Sequence, residues 1–191
     1  MLWNYVKLVG MLQSYHDIIE FWFAEIDSAS WWKKDLDFDA MIQHRFSKVH
    51  QDACLGALAS WRESPQGRLA EIIVLDQFSR NMYRDMAEAF LWDGYALLLS
   101  QQAVAVGADQ ELPASQRSFL YMPMMHSELP DVHEEAVRLF QQEGMQGNLD
   151  FELKHKAIID RFGRYPHRNE ILGRVSTPEE QAFLKEPGSS F

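Results

Sequence analysis

Apolar residues recur at the spacing of α-helices along nearly the whole chain, and helix caps separate one apolar run from the next. The clearest run begins at Ser64-Pro65, a cap residue followed by proline at the first helical position, where the missing N–H costs no hydrogen bond. It continues as far as Met82. Near the other end, Thr177-Pro178-Glu179-Glu180 combines proline in the first turn with a capping box. This pattern predicts helices throughout.

Signals for β-strands are missing from the sequence. No Asn-Gly or Asp-Gly pair separates two alternating runs, and the connections between apolar runs are short, which favours antiparallel neighbours. We therefore expect an all-α fold of about eight or nine helices in stacked antiparallel hairpins, similar to tetratricopeptide repeats. No linker divides the chain, so we expect residues 15–191 to form one domain and residues 1–14 to be an N-terminal extension.

Charge and motif content exclude several classes of function. The net charge of -10 should repel nucleic acid and anionic lipid, and no run of about 18 apolar residues predicts a transmembrane helix. Cys54 is the only cysteine, so no internal disulfide is expected and a cytoplasmic location is predicted. Phosphate-loop, dinucleotide-binding and HExxH motifs are missing, and no two histidines are four residues apart. We expect neither a cofactor nor a metal.

The helix that begins at Pro65 carries the most informative polar residues. At about 100° per residue they fall within a wedge of roughly 140°, and most other residues of this helix are apolar. The wedge contains Asp76, Gln77, Arg80, Asn81 and Arg84. One interpretation is an i,i+4 ion pair between the Asp76 and Arg80 side chains, with the two amides bound to loop backbone. The other is a groove whose arginines bind a carboxylate or phosphate.

A second polar segment follows a proline. Pro123 should kink or end the helix that contains Arg117, which places His126 at an irregular helix end. His126 is the weak candidate for a general base or ligand donor. Alternatively, Ser127 and its neighbour Glu128 only cap the next helix.

The third segment reverses the sign of the chain's charge. Four arginines and His167 lie between residues 161 and 174, and the candidates for an anion site here are Arg164, His167 and Arg168. Arginine suits planar anions and partly buried ion pairs. The alternative is that these arginines pair with internal acids such as Asp160, Asp76 or Asp93.

These segments, with three that contain aromatic residues, resemble the DUF924 family of bacterial proteins of unknown function. The resemblance covers about residues 15–185 and is carried, in order, by Phe21-Trp22-Phe23, Trp31-Trp32, Phe38-Asp39, Leu75 to Asn81, Tyr121 to Glu128 and Arg161 to Asn169. It implies an all-helical, tetratricopeptide-like fold and transfers no catalytic residue. The family pattern usually has proline at position 79, leucine at 124 and phenylalanine at 165. We expect Ser79 to keep its helix more regular than proline would.

Three functions are compatible with the sequence. The first is binding of an anionic small molecule or peptide terminus in a groove lined by arginine and histidine. The second is a scaffold whose stacked hairpins bind a protein segment. The third is a hydrolase or transferase that uses His126 as general base beside an arginine-stabilised oxyanion. A homodimer is the default expectation for the oligomeric state.

Overall fold

The computed structural model describes residues 13–190, and these form an all-α protein in which no β-strand occurs. The predicted N-terminal extension lies almost wholly outside the described residues. The α-helices are α1 (Tyr15–Glu20), α2 (Leu36–Cys54), α3 (Pro65–Ile73), α4 (Ser79–Met82), α5 (Asp93–Ala105), α6 (Ala114–Met125), α7 (Pro130–Phe140), α8 (Gln146–Phe162) and α9 (Pro178–Phe183). Short 3₁₀ turns at Ser28–Trp32, Ala59–Glu63, Ala87–Phe90, Ala108–Glu111 and Pro166–Arg168 join several of them.

Helix α3 is the centre of the fold. It packs against α1, α5 and α6, while α5 packs against α6, α6 against α7 and α7 against α8. The Ser64 hydroxyl accepts a hydrogen bond from the Gly67 N–H at 3.0 Å, so the predicted cap of α3 is confirmed. The capping box of α9, between Thr177 and Glu180, is confirmed as well. Tetratricopeptide-like stacking of the hairpins stays a prediction.

A π-helical turn, Val74–Phe78, joins α3 to α4 in one continuous helix. The turn interrupts regular α-helical bonding just before Ser79, and the expectation that Ser79 keeps this helix more regular than proline would stays a prediction. The Ser79 hydroxyl donates to the Leu75 carbonyl at 2.6 Å, competing with the backbone for that acceptor. Isolated π-turns are rare and often lie at functional sites because they re-aim the side chains that they carry. Here the turn carries Asp76 and Gln77.

Pro123 neither ends nor breaks α6, which continues to Met125. A proline removes one backbone donor, and so close to the end of a helix few further bonds depend on it. The His126 N–H donates to the Met122 carbonyl at 3.0 Å, so helical bonding resumes immediately after the proline. His126 is the C-cap residue of α6, at the helix end as predicted.

Aromatic rings fill the core between α1, α2 and the π-turn. Phe46 is fully buried, with its ring centroid 4.7 Å from that of Phe21 and 4.9 Å from that of Phe78. Trp22 packs edge-on against Phe78 and Phe119. These contacts hold the π-turn from the side opposite its polar residues. None of the helices among the described residues is long and apolar enough to cross a bilayer.

Phe46→Ala should lower the free energy of unfolding by about 3–5 kcal/mol, because it removes a buried ring and leaves a cavity. Urea denaturation followed by circular dichroism measures this loss. Phe151→Ala is the matched control, since the Phe151 side chain is half exposed on α8, and it should cost less than about 1 kcal/mol. Equal losses in the two variants would contradict the assignment of Phe46 to the core.

Candidate functional site

Asp76 is a fully buried carboxylate with three side-chain partners. Its Oδ1 atom lies 2.8 Å from His126 Nδ1 and 3.0 Å from Arg80 Nη1, and its Oδ2 atom accepts a hydrogen bond from Gln77 Nε2 at 2.5 Å. The predicted i,i+4 pair of Asp76 with Arg80 is therefore present, but in the interior rather than on a surface. The π-turn aims this carboxylate at the C-terminal end of α6.

The proton on the His126 ring follows from the charge of its partner. Burial opposes ionisation of Asp76, but the charges of Arg80 and His126 and the hydrogen bonds to the carboxylate hold its pKa well below the usual range. An ionised carboxylate only accepts hydrogen bonds, so His126 Nδ1 must be the donor. Burial and the charge of Arg80 lower the pKa of His126. Near neutral pH the ring is uncharged, with its lone pair on Nε2.

Arg80 extends the arrangement to a second acid. Its Nη1 and Nη2 atoms donate to the two carboxylate oxygens of Asp93 at 3.0 and 3.1 Å. Arg168 Nη1 also donates to Asp93, at the longer distance of 3.3 Å. Two guanidinium groups therefore share one carboxylate. We call Asp76, Arg80, Asp93, His126 and Arg168 the central polar network.

Arg168 is held between two aromatic rings. Its guanidinium carbon lies 4.5 Å from the ring centroid of Tyr165 and 4.7 Å from that of Phe90. The residue is only 6% exposed, and within the described part of the chain its Nε atom has no hydrogen-bond partner. Burial and the charge of Arg80 lower the pKa of Arg168. This cation has less hydrogen bonding and less charge compensation than its neighbour.

Two further histidines border the network. Burial, together with neighbouring positive charges, lowers the pKa of His155 to about 3 and that of His167 to about 4. The His155 ring centroid lies 6.5 Å from that of His126 and 5.8 Å from that of Tyr165. Both rings are uncharged at neutral pH, so the fixed positive charge beside the network comes from arginine.

Two other predicted site residues, one on α4 and one just after it, pair with a different acid. Arg84 donates to Asp39 through Nε and Nη2 at 2.5 and 2.7 Å, and the Asn81 amide donates to Asp39 at 2.8 Å. These residues line a separate cavity of about 230 Å³. Asp39, across from them on α2, already takes up their donors.

Arg117 and Arg164 lie elsewhere. Arg117 donates to the side-chain oxygen of Gln142 at 2.8 Å, at the opposite end of α6 from His126. Arg164 donates to both carboxylate oxygens of Glu180 at 2.6 and 2.8 Å and to the Val175 carbonyl at 3.0 Å. The ten predicted residues therefore do not line one groove. The structure brings together Asp76, Gln77, Arg80, His126 and Arg168. His167 lies at the border of this network, and the other four residues lie elsewhere.

Sequence reasoning found the cations of the network more readily than their partners. Asp93 was anticipated as an internal acid for the arginines, and Asp76 likewise. Asp160 was the wrong choice, because it pairs with Lys156 at 2.8 Å. The sequence did not predict the contacts of Phe90 and Tyr165 with Arg168. Only the cluster of motif residues around Tyr165 could have suggested its involvement.

A larger cavity of about 530 Å³ lies away from the network, between α2 and the segment around Trp92. It is lined by residues that include Cys54 and His50. Burial raises the pKa of the Cys54 thiol to about 11, so the thiol is protonated at neutral pH. No group of three or more potential metal-binding side chains occurs among residues 13–190.

Fold and site together define an all-α protein with a buried aspartate–histidine–arginine network. The chain belongs to the DUF924 family of bacterial proteins of unknown function, whose sequence pattern matches residues 18–188. A solved structure of ATU0120, a protein of unknown function from Agrobacterium tumefaciens, is similar to it. The two are 36% identical with a TM-score of 0.85, over 90% of this chain and 96% of that one. No curated protein matches the chain significantly.

The family resemblance is confirmed, and three of the segments that carried it meet at the central polar network. Leu75 to Asn81 supplies Asp76 and Arg80, Tyr121 to Glu128 supplies His126, and Arg161 to Asn169 supplies Arg168.

The uncharged state of His155 predicts acid sensitivity. Between about pH 6.5, the ordinary pKa of histidine, and its folded pKa of about 3, the unfolded chain binds a proton that the folded chain does not. The free energy of unfolding should therefore decrease as the pH is lowered through this window, by up to about 1.4 kcal/mol per pH unit for this residue. Urea unfolding at several pH values measures the slope. His155→Gln should flatten it, whereas His44→Gln, on the exposed face of α2, should not. Identical slopes for the wild type and His155→Gln would refute this explanation.

Proposed function

We propose that the protein binds a small molecule or peptide terminus that carries a carboxylate or phosphate, and that Arg168 binds this anionic group. The observation that carries the proposal is that two guanidinium groups share the single carboxylate of Asp93. A buried cation without full pairing is costly to the fold, and a visiting anion would offset that cost.

The charge of the network is balanced in total but not in its distribution. Asp76 and Asp93 together match the charges of Arg80 and Arg168. The Asp76 carboxylate, however, is already bound to Arg80, His126 and Gln77, on the side of the network nearer α6. Arg168 has one long contact with an acid. The demand for negative charge is therefore greatest at Arg168.

The stacking of Arg168 favours binding at its edge. The rings of Phe90 and Tyr165 cover the faces of the guanidinium group and leave its N–H donors, which lie in the plane, as the groups that can reach a ligand. A planar fork of donors held in one orientation suits a carboxylate or phosphate. Little side-chain entropy is lost on binding when the fork is already fixed.

The network is partly exposed to solvent. The side chains of Arg80, Asp93 and His126 are 21%, 19% and 15% exposed, and that of Arg168 is 8% exposed. The arginines at positions 84 and 164 are saturated by Asp39 and Glu180, whereas Arg168 has one long contact with an acid and is the arginine of this network that an anion would compensate most. A protein-binding scaffold, a homodimer and a cytoplasmic location stay predictions.

Inorganic phosphate or glutarate should stabilise the protein against heat. At about ten times its dissociation constant, a ligand that binds only the folded state adds about 1.4 kcal/mol, which corresponds to a rise of about 3–6 °C in Tm for a chain of this size. Differential scanning fluorimetry measures the shift, with sodium chloride at matched ionic strength as the reference.

Two arginine variants distinguish this site from a general effect of salt. Arg168→Gln should abolish the rise in Tm because it removes the proposed anion-binding fork. Arg161→Gln removes an arginine from the same segment whose partner is Glu179 at the surface, and it should keep the rise. A rise of the same size in Arg168→Gln, or none with either anion in the wild type, would rule the proposal out.

A further inference from the structure

We infer that the anion site is also catalytic, that His126 is its general base positioned by Asp76, and that it hydrolyses esters of small molecules carrying a second, anionic group. This inference rests on the proposed function and adds a reaction to it. It is carried by the geometry of the Asp76–His126 pair and by the position of that pair beside Arg80.

One nitrogen of His126 is fixed and the other is available. Nδ1 lies 2.8 Å from Asp76 Oδ1, which fixes the orientation of the ring and its tautomer. Within residues 13–190, Nε2 makes no hydrogen bond, and the side chain is 15% exposed. An imidazole oriented by a buried carboxylate, with its lone pair accessible, is the arrangement that general-base catalysis requires.

A second acid–histidine pair in the same protein provides an internal comparison. His133 Nδ1 lies 2.6 Å from Glu152 Oε1, but its Nε2 lies 2.8 Å from the Ser127 carbonyl, and neither side chain is exposed. Both nitrogens of His133 are thus engaged in the interior. The two pairs share a hydrogen bond between an acid and a histidine but differ in access, and only the Asp76–His126 pair can meet a substrate.

The reaction proceeds by attack of water on the ester. His126 Nε2 takes a proton from a water molecule as the water oxygen forms a bond to the ester carbonyl carbon. The carbonyl oxygen becomes an oxyanion that the donors of Arg80 stabilise, while Arg168 binds the anionic group of the substrate. The bond from carbon to the leaving oxygen then breaks, and Nε2 returns its proton to that oxygen. The products are an acid and an alcohol, and no oxidant or metal is consumed.

The charged groups around His126 determine its pH dependence. Asp76 on the π-turn and Asp93 at the start of α5 favour the protonated ring, whereas Arg80 on α4 disfavours it, and His155 on α8 is uncharged at neutral pH. The rate should be constant near neutral pH and fall on the acid side as Nε2 becomes protonated. This decrease in rate reports the loss of the unprotonated, basic form of His126.

The test uses the full chain and two chromogenic esters of similar acyl length, mono-4-nitrophenyl glutarate and 4-nitrophenyl butyrate. The wild type should hydrolyse the anionic ester with a kcat/KM at least about tenfold above that for the neutral one, since only the former can bind Arg168. His126→Gln should lower kcat by about 10²–10⁴-fold. His44→Gln, at an exposed histidine of α2, should retain the wild-type rate.

The remaining variants separate binding, positioning and chemistry. Arg168→Gln should raise KM for mono-4-nitrophenyl glutarate and change kcat much less than it changes KM. Asp76→Asn should lower kcat, because an amide can donate to Nδ1 and so move the ring proton to Nε2. The ¹⁵N chemical shifts of His126 detect that change of tautomer directly. The same ¹⁵N measurement on the wild type, in which Nδ1 should carry the proton, tests the inference even if a variant folds poorly.

The outcomes decide between the two proposals. A wild type that hydrolyses the anionic ester no faster than His126→Gln, or whose His126 carries its proton on Nε2, overturns the catalytic inference. If glutarate still raises Tm in an Arg168-dependent way under that outcome, anion binding stands on its own. If neither hydrolysis nor stabilisation is observed, both proposals are wrong.

Discussion

The ionised carboxylate of Asp76, buried beside Arg80 and His126, is the interaction on which the rest of the polar interior depends. Removing a charge from water costs several kcal/mol, and the cost is recovered only when every lone pair of the carboxylate has a well-placed donor. Three side chains meet that need here, two from the same continuous helix and one from the end of α6. The π-turn makes this possible because it directs Asp76 toward α6 while Phe78 stays in the aromatic core. Fold and site are therefore built on the same turn.

The arginines of this chain differ in how well they are paired. Arg84, Arg164 and Arg174 each bind an internal carboxylate through two nitrogens, a geometry that satisfies most of the fork and stabilises the fold. Arg168 instead lies between two rings and shares Asp93 with Arg80. A residue that served only stability would be expected to be paired as Arg84, Arg164 and Arg174 are. Arg168 combines incomplete pairing with stacking on two rings, and that combination, rather than the abundance of arginine, distinguishes this part of the molecule.

Local features were predictable from the sequence, whereas for distant partners the sequence offered at most several candidates, such as Asp93 among three acids for the arginines. The caps at Ser64 and Thr177 and the Asp76–Arg80 pair depend on residues no more than four apart, so spacing alone reveals them. The contact of Arg84 with Asp39 joins residues 45 apart, and that of Arg168 with Asp93 joins residues 75 apart. Such pairs depend on how helices pack, which periodicity does not specify. The π-turn also escaped prediction, since it depends on tertiary packing around Ser79 and breaks the regular spacing that sequence reasoning assumes.

The comparison of the two buried acid–histidine pairs separates a structural role from a chemical one. Burial raises the pKa of Glu152 more than His133 and Lys156 lower it, which favours the uncharged form of this acid. Asp76 stays ionised because Arg80 places a fixed positive charge 3.0 Å from its carboxylate, in addition to the hydrogen bonds from His126 and Gln77. The same arginine that keeps Asp76 charged also lowers the pKa of His126 and keeps its lone pair free. One cation thus favours the charged form of Asp76 and, together with burial, the uncharged form of His126.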